Sequence, residues 1–362
     1  MNANGAMIEV EGLTRSFGAV RAVDRLSFTI PTGRVTGFIG ANGAGKTTTM
    51  RILATLDQPD GGHVRINGRD VQAYPNETRR CVGWMPDDFG AYPDMSVWEY
   101  MDFFARMFDL RRAEREARVA DVMDFTDLKV LADRPCNVLS KGQTQRLCLG
   151  RTLLHDPPVL ILDEPAAGLD PKARLEFKRL IKLLQNDGKT IFISSHILSE
   201  LGEMCDTLLF IDNGRLVHFG DADSLRYNRA GGRSAVEIRV NGDPDRLMAW
   251  IQASGHTTLD RELENGAIVE VDSHQPEALS TLLKTLIDAG LPVCEFHRHE
   301  VRLEDAFVEM LRDPSSMSPS LGTAPFGKSG SPPPAPTPAV TPPPLPVGSD
   351  SRPADGSPPS SP

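Results

Sequence analysis

Gly40-Ala41-Asn42-Gly43-Ala44-Gly45-Lys46-Thr47 is the stretch on which the reading of the fold turns. It fits the pattern G-x-x-x-x-G-K-[ST], a loop that wraps around phosphate. The apolar run Val35-Thr36-Gly37-Phe38-Ile39 precedes it, and good helix formers, Thr48–Leu56, follow it. Strand, glycine loop and helix together make an anion site, because backbone N–H groups and the dipole at a helix N-terminus both favour negative charge. The glycines let the backbone close around phosphate oxygens. Lys46 is expected to reach the β- and γ-phosphates of ATP, and the Thr47 hydroxyl to ligate Mg²⁺. Gly40, Asn42, Gly43, Gly45 and Thr48 complete the expected cradle. The pattern recurs at Gly322-Thr323-Ala324-Pro325-Phe326-Gly327-Lys328-Ser329. No strand precedes that copy, and it runs into Gly330-Ser331-Pro332-Pro333-Pro334, which cannot form a helix. The second copy therefore reads as coincidence.

Further along, Val159-Leu160-Ile161-Leu162 ends in Asp163-Glu164. Thr190–Ser194 and Leu208–Asp212 are similar apolar runs, as parallel strands buried on both faces require. Met7–Glu11 and Leu26–Ile30 also read as strands. Asp163 would stand at the C-terminal end of its strand, where parallel sheets open their crevice. A carboxylate there suits Mg²⁺, a hard oxygen-seeking cation. Glu164 is then placed to orient or deprotonate an attacking water. An Asp-Glu pair on its own would be an ordinary strand cap; the phosphate loop is what favours chemistry. Between about residues 95 and 155 the pattern is helical, with aromatics at helix spacing over Val97–Ala105. The charged run Arg111–Arg118 reads as a solvated helix face.

Leu139-Ser140-Lys141-Gly142-Gln143 resembles L-S-G-G-Q, the signature of ATP-binding-cassette (ABC) ATPases, with Lys141 in place of the first glycine. That resemblance implies a P-loop NTPase fold of the α/β class: a mostly parallel core sheet, an antiparallel β subdomain and a helical subdomain. It implies that Ser140, Gly142 and Gln143 cap the γ-phosphate of ATP held by a second copy or a paralogous cassette. Phe17, in Arg15-Ser16-Phe17-Gly18, resembles the aromatic that stacks on adenine. Asp170, in Gly168-Leu169-Asp170, resembles a loop at the dimer interface, and His196 the histidine that contacts the γ-phosphate. Where the family carries a Gln that ligates Mg²⁺ and faces the membrane subunit, this chain reads Gly83-Trp84-Met85-Pro86-Asp87-Asp88, and Asp87 is the expected replacement. Trp84–Gly90 is similar to the ABC-2 branch of drug, lipid and polysaccharide exporters. Leu303-Glu304-Asp305-Ala306-Phe307 resembles the C-terminal extension of that branch.

Residues 1–228 are thus expected to form the cassette. Residues 229–312 read as a small α+β unit, ordered βαββαβ plus a helix over Leu303–Leu311 and ferredoxin-like in its order. Residues 313–362 carry Pro-rich runs such as Thr341-Pro342-Pro343-Pro344-Leu345-Pro346, which lack the apolar groups to offset ordering entropy. The net charge of −10 disfavours a nucleic-acid-coating role, which needs a basic face. No apolar run approaches the roughly 20 residues that span a bilayer, and the first residues show no secretory leader. The expectation is a peripheral protein on the cytoplasmic face of the cell membrane, acting on separate integral-membrane permease subunits, with no nucleic acid. The five dispersed cysteines (Cys81, Cys136, Cys148, Cys205 and Cys294) read as reduced thiols. Two other classes compete. ABC ATPases of translation usually pair two cassettes, and those of DNA maintenance insert long coiled coils between Lys46 and Asp163; neither feature is present. A non-hydrolysing nucleotide sensor would not need Glu164 and His196. The choice between the two phosphate-loop patterns is testable by nucleotide titration: Lys46→Ala should weaken ATP binding, and Lys328→Ala should leave it unchanged.

Overall fold

The structure is a computed structural model, and it describes residues 5–299 apart from 89, 91, 93, 223–227, 230–232, 255–256 and 272–275. Phe89, the helix expected over 303–311, the second phosphate-loop pattern and the Pro-rich segment lie outside the described residues.

A six-stranded sheet forms the centre. Its strands are β3 (Val35–Ile39), β6 (Val82–Met85), β7 (Val159–Leu162), β8 (Thr190–Ser195), β9 (Thr207–Asp212) and β10 (Arg215–Asp221), in the order β10-β9-β3-β8-β7-β6. The five from β9 to β6 are parallel; β10 returns antiparallel on β9. β3, β7 and β8 are buried along their whole length, which explains why none of them carries a charged residue. Side chains alternate between two cores. Phe38, Ile161, Phe192 and Leu209 face one, Ile39, Leu160, Leu162, Ile193 and Phe210 the other.

The first core is closed by a second, antiparallel sheet made of β1 (Ala6–Phe17), β2 (Val20–Pro31), β4 (Gly61–Ile66) and β5 (Arg69–Asp70), ordered β2-β1-β4-β5. Helix α1 (Lys46–Leu53) adds Met50, Ile52 and Leu53 to the same core. Phe38 stacks on Phe192 at 5.0 Å between ring centroids, and Phe28 of β2 tilts against both. β1 and β2 are each twelve residues long, well beyond the short runs legible as Met7–Glu11 and Leu26–Ile30. Gly12 sits at φ 59°, and the register with β2 shifts between Val10 and Leu13, which breaks the period-2 pattern that a strand normally shows.

The second core is roofed by helices: α2 (Pro75–Cys81) leads into β6, followed by α3 (Val97–Met107), α4 (Arg112–Phe125), α5 (Lys141–Leu153), α6 (Pro171–Asn186) and α7 (Leu198–Gly202). α3 starts on a capping box, Ser96 with Glu99, and α5 on another, Ser140 with Gln143. The charged run at the start of α4 is only partly the solvated face expected from sequence. Arg115 folds inward and its Nε donates to the buried Asp102 at 2.6 Å; Arg106 donates to the other oxygen at 2.7 Å. Arg118 reaches the carbonyls of Leu153 and Leu154 at the end of α5. The arginine fork serves here as a helix-to-helix tie, because its donors can satisfy carbonyls that the end of α5 leaves open.

Residues beyond 227 form a third sheet: β11 (Asn228–Arg229), β12 (Arg233–Val240), β13 (Thr257–Leu263), β14 (Gly266–Val271) and β15 (Val293–Arg298), with helices α8 (Pro244–Ala253) and α9 (Pro276–Asp288) between them. All pairings are antiparallel; β12 lies between β14 and β15, β13 is beyond β14, and β11 pairs the start of β12. Its own core is built from Val236, Ile238, Val240, Val269, Leu247, Ile251, Leu279 and Leu286, among others. The βαββαβ order is as the spacing predicts. No helix among the described residues is long and apolar enough to cross a membrane.

Burial opposes ionisation of Asp102, but Arg106 and Arg115 hold its carboxyl below the usual range. A lowered carboxylate pKa stabilises the fold at neutral pH, and that contribution is lost as pH falls through the folded-state value. Asp102→Asn should therefore lower stability at neutral pH by about 2 kcal/mol and flatten its decline in acid. Urea unfolding across a pH series measures both.

Candidate functional site

The C-terminal ends of β3, β7 and β8 lie side by side, so the segments leaving them converge. The loop after β3 turns through two left-handed glycines, Gly43 (φ 84°) and Gly45 (φ 104°). A Cβ on Gly45 would collide with the Ala22 carbonyl oxygen, and one on Gly40 with the carbonyl of Ile211. Only glycine fits either place. Lys46 opens α1 with its side chain buried, and its Nζ donates to the Gly40 carbonyl at 2.7 Å and the Ala41 carbonyl at 3.3 Å.

Asp163 and Glu164 follow β7. The Asp163 N–H bonds the Met85 carbonyl at 2.8 Å, which continues the pairing of β7 with β6. Asp163 is almost fully buried and accepts from the Ser194 hydroxyl at 2.6 Å; that same hydroxyl accepts from the Glu164 N–H at 2.9 Å. Glu164 is held at φ 47°, a left-handed conformation that costs a non-glycine residue of order 1 kcal/mol or more. The turn brings its carboxylate to the cleft lined by Lys46 and His196. One oxygen lies 3.5 Å from Lys46 Nζ; the other is 2.8 Å from His196 Nδ1 and accepts from the His196 N–H at 3.3 Å.

These groups line a cleft of about 430 Å³. Its walls include Phe17, Asn42, Gly43, Gly45, Lys46, Thr47, Thr48, Asp87, Glu164 and His196. Gly40 and Asp163 stand behind them, connected through Lys46 and Ser194. Phe17 is half exposed near the tip of the β1–β2 hairpin, with the Arg15 guanidinium 4.7 Å from its ring centroid. Asp87 enters from the segment after β6. Burial pushes its carboxyl pKa up; Asp163 and Glu164 push the same way, and Lys141 opposes them.

Ser140, Gly142 and Gln143 are not among the cleft's lining residues. They form the first turn of α5, where Ser140 and Gln143 bond each other's backbone N–H at 3.3 and 2.9 Å. A Cβ on Gly142 would meet Ala173 at 3.0 Å, so α5 packs closely on the start of α6 there. Asp170 caps α6 by accepting from the Ala173 N–H. Sequence reasoning missed Ser194, Ala22 and Ala167. Ser194 carried a legible signal: a hydroxyl inside a fully buried strand must find a partner, and the partner is the site.

Residues 23–167 match the family described as ABC transporter. The chain is 33% identical over 306 residues to the Nod factor export ATP-binding protein I of Ralstonia nicotianae, covering 84% of this chain and 93% of that protein. It is 32% identical to the bacitracin transport ATP-binding protein BcrA of Bacillus licheniformis, over 84% of this chain and 97% of that one. A solved structure of an ATP-binding subunit of an ABC transporter superposes with a TM-score of 0.55 at 29% identity, over 60% of this chain and 91% of the other.

The cleft's oxygen donors make a specific prediction for Asp87. Asp87→Ala should raise the Mg²⁺ concentration needed for ATP hydrolysis, and Asp87→Gln should restore much of the loss, since an amide oxygen can stand in the same place. Because burial raises the Asp87 pKa, the wild type should need more Mg²⁺ as pH falls, and at a higher pH than an ordinary carboxylate would. Asp87→Gln should lose that pH dependence. Hydrolysis measured across Mg²⁺ titrations at two pH values reads all three.

Proposed function

The chain belongs to the ABC transporter family of ATP-binding proteins, and from that membership we propose how its cleft, its partners and its segments divide the labour of a transport ATPase. The observation that carries the reading is the position of Glu164, between Lys46 at 3.5 Å and His196 at 2.8 Å at the mouth of a phosphate loop.

ATP enters with its adenine on Phe17 and its phosphates on the N–H groups around Gly43–Thr48. Lys46 leaves the Gly40 and Ala41 carbonyls for the β- and γ-phosphate oxygens. That exchange relieves the cation of neutral partners in favour of anionic ones, which bond about twice as strongly. Glu164 then faces the γ-phosphate, where it orients the attacking water and accepts its proton. His196 holds the Glu164 carboxylate and contacts the γ-phosphate itself. Thr47, Asp87 and Asp163 are the oxygen donors that would hold Mg²⁺, which would supply charge neutralisation to the bound nucleotide. Among the described residues no three acidic, histidine or cysteine side chains gather closely enough to hold a metal.

The cleft is half of a site. Ser140, Gly142 and Gln143 are not among its lining residues, and in this reading they cap the γ-phosphate held by a second copy, which caps this one in return. Closure of the two copies moves the permease, and hydrolysis reopens them. The permease is a separate membrane protein. Trp98, Phe103 and Met107 of α3, with Tyr92 before it, are exposed and offer it an apolar seat. The names of the relatives favour export; in this reading the chain is a peripheral protein on the cytoplasmic face of the membrane. The segments are assigned as cassette (1–228), accessory α+β domain (229–312) and Pro-rich tail (313–362).

Glu164→Gln tests the reading. It should keep ATP binding, slow hydrolysis by about 10²–10⁴-fold, and accumulate an ATP-bound dimer on gel filtration. Turnover at the wild-type rate would remove Glu164 from the chemistry.

A further inference from the structure

Glu200 is a buried carboxylate that the chemistry of the cleft does not use. It sits on α7, outside the residues that line the cleft. A carboxylate hidden from water needs partners, and Glu200 has two. One oxygen accepts from the Ser195 hydroxyl at 3.3 Å. The other lies 2.9 Å from Arg174 Nε, an ion pair whose atoms are not aligned for a hydrogen bond.

Each partner leads back to the cleft. Ser195 precedes His196, and its hydroxyl oxygen accepts from the Ile197 N–H at 3.0 Å, so this hydroxyl closes the turn that carries His196. Arg174 stands on α6, and its Nη2 donates to the Leu169 carbonyl at 3.3 Å. Leu169 belongs to the turn that starts at Glu164: the Ala167 N–H bonds the Glu164 carbonyl at 3.0 Å, and the Leu169 N–H bonds the Ala166 carbonyl at 3.2 Å. The segment bearing His196 is therefore held to the segment bearing Glu164 at two points. Ser194 makes one, through the Glu164 N–H. Glu200 and Arg174 make the other, spanning from Ser195 to Leu169. A single tie would leave one segment free to rotate about the other; a second removes that freedom. What depends on it is the 2.8 Å approach of His196 Nδ1 to the Glu164 carboxylate.

On the reading of the cleft as an ATP site, we propose that Glu200 and Arg174 are positioning residues for hydrolysis, a strut behind the cleft that holds His196 against Glu164 and the γ-phosphate. Neither residue touches the nucleotide. The strut acts on the rate and leaves affinity alone, because the phosphate loop, Lys46 and Phe17 do not lean on it.

Steady-state ATPase and binding of a fluorescent ATP analogue, both on the full chain, test it. Arg174→Ala and Ser195→Ala should each lower kcat by about ten- to a hundredfold, the size expected for a misplacement of about 1 Å. KM and analogue binding should stay within about twofold of the wild type. Because both changes break one strut, the double variant should lose no more than the worse single variant. Glu200→Gln keeps the reach of the side chain and should retain most of the rate. Glu200→Asp is one methylene short of spanning Ser195 and Arg174, and should lose as much as Arg174→Ala. Lys178→Ala is the control: it breaks a second α6–α7 pair, Lys178 with the exposed Glu203 at 2.7 Å, and should hydrolyse ATP as the wild type does. If urea unfolding shows that Arg174→Ala does not fold, Ser195→Ala and the two Glu200 variants carry the same test. A loss in KM with kcat unchanged, losses that multiply in the double variant, or an equal loss in Lys178→Ala would overturn the strut. A wild type that hydrolyses no ATP would overturn the reading of the cleft, whereas an active wild type matched by Arg174→Ala and Ser195→Ala overturns the strut alone.

Discussion

The Glu164 carboxylate is held between a buried ammonium and an imidazole by a backbone turned into the left-handed region. Most of the architecture is needed to keep it there. The Ser194 hydroxyl ties the Glu164 N–H to the Asp163 carboxylate across two strands. β7 and β8 must therefore be adjacent and parallel, and they are. Lys46 reaches Glu164 only because β3 neighbours β8 on its other side. A parallel sheet with those neighbours has both faces to cover, which is why one core is closed by an antiparallel sheet and the other by helices.

Much of this was legible in the residues. Unbroken apolar runs announced the central strands, and a loop of glycines followed by Lys-Thr announced the phosphate cradle. Those signals are local, and local signals survive in sequence. What escaped was carried by partners distant in the chain. The β1–β2 hairpin looked like two short runs because Gly12 and the register shifts interrupt alternation, so the approach of Phe17 to the cleft had to come from resemblance. Arg115 looked solvated because nothing near it in sequence shows that Asp102, thirteen residues earlier, is buried and needs it. Lys141 looked like an isolated departure from a motif; its place over the turn after Glu164 depends on how α5 packs there.

The same geometry explains why the signature segment is absent from its own cleft. Ser140 and Gln143 satisfy each other at the start of α5, a capping box that fixes the helix end. A rigid, exposed helix start with small residues suits a phosphate brought by another molecule. In the proposed reading it also makes hydrolysis depend on a second copy: a cleft that binds ATP but does not enclose it would couple hydrolysis to association, the step that a membrane partner can read.

That dependence is open to one direct measurement. Chains carrying Lys46→Ala lack a working phosphate loop but keep the signature; chains carrying Ser140→Arg keep the loop but lack the signature. Each alone should be inactive. In a mixture, a heterodimer joins the intact loop of one chain to the intact signature of the other, so ATPase activity should appear on mixing and peak near equal amounts. A mixture that stays inactive at every ratio, while each chain still folds and the Ser140→Arg chain still binds ATP, would contradict a site shared between two copies.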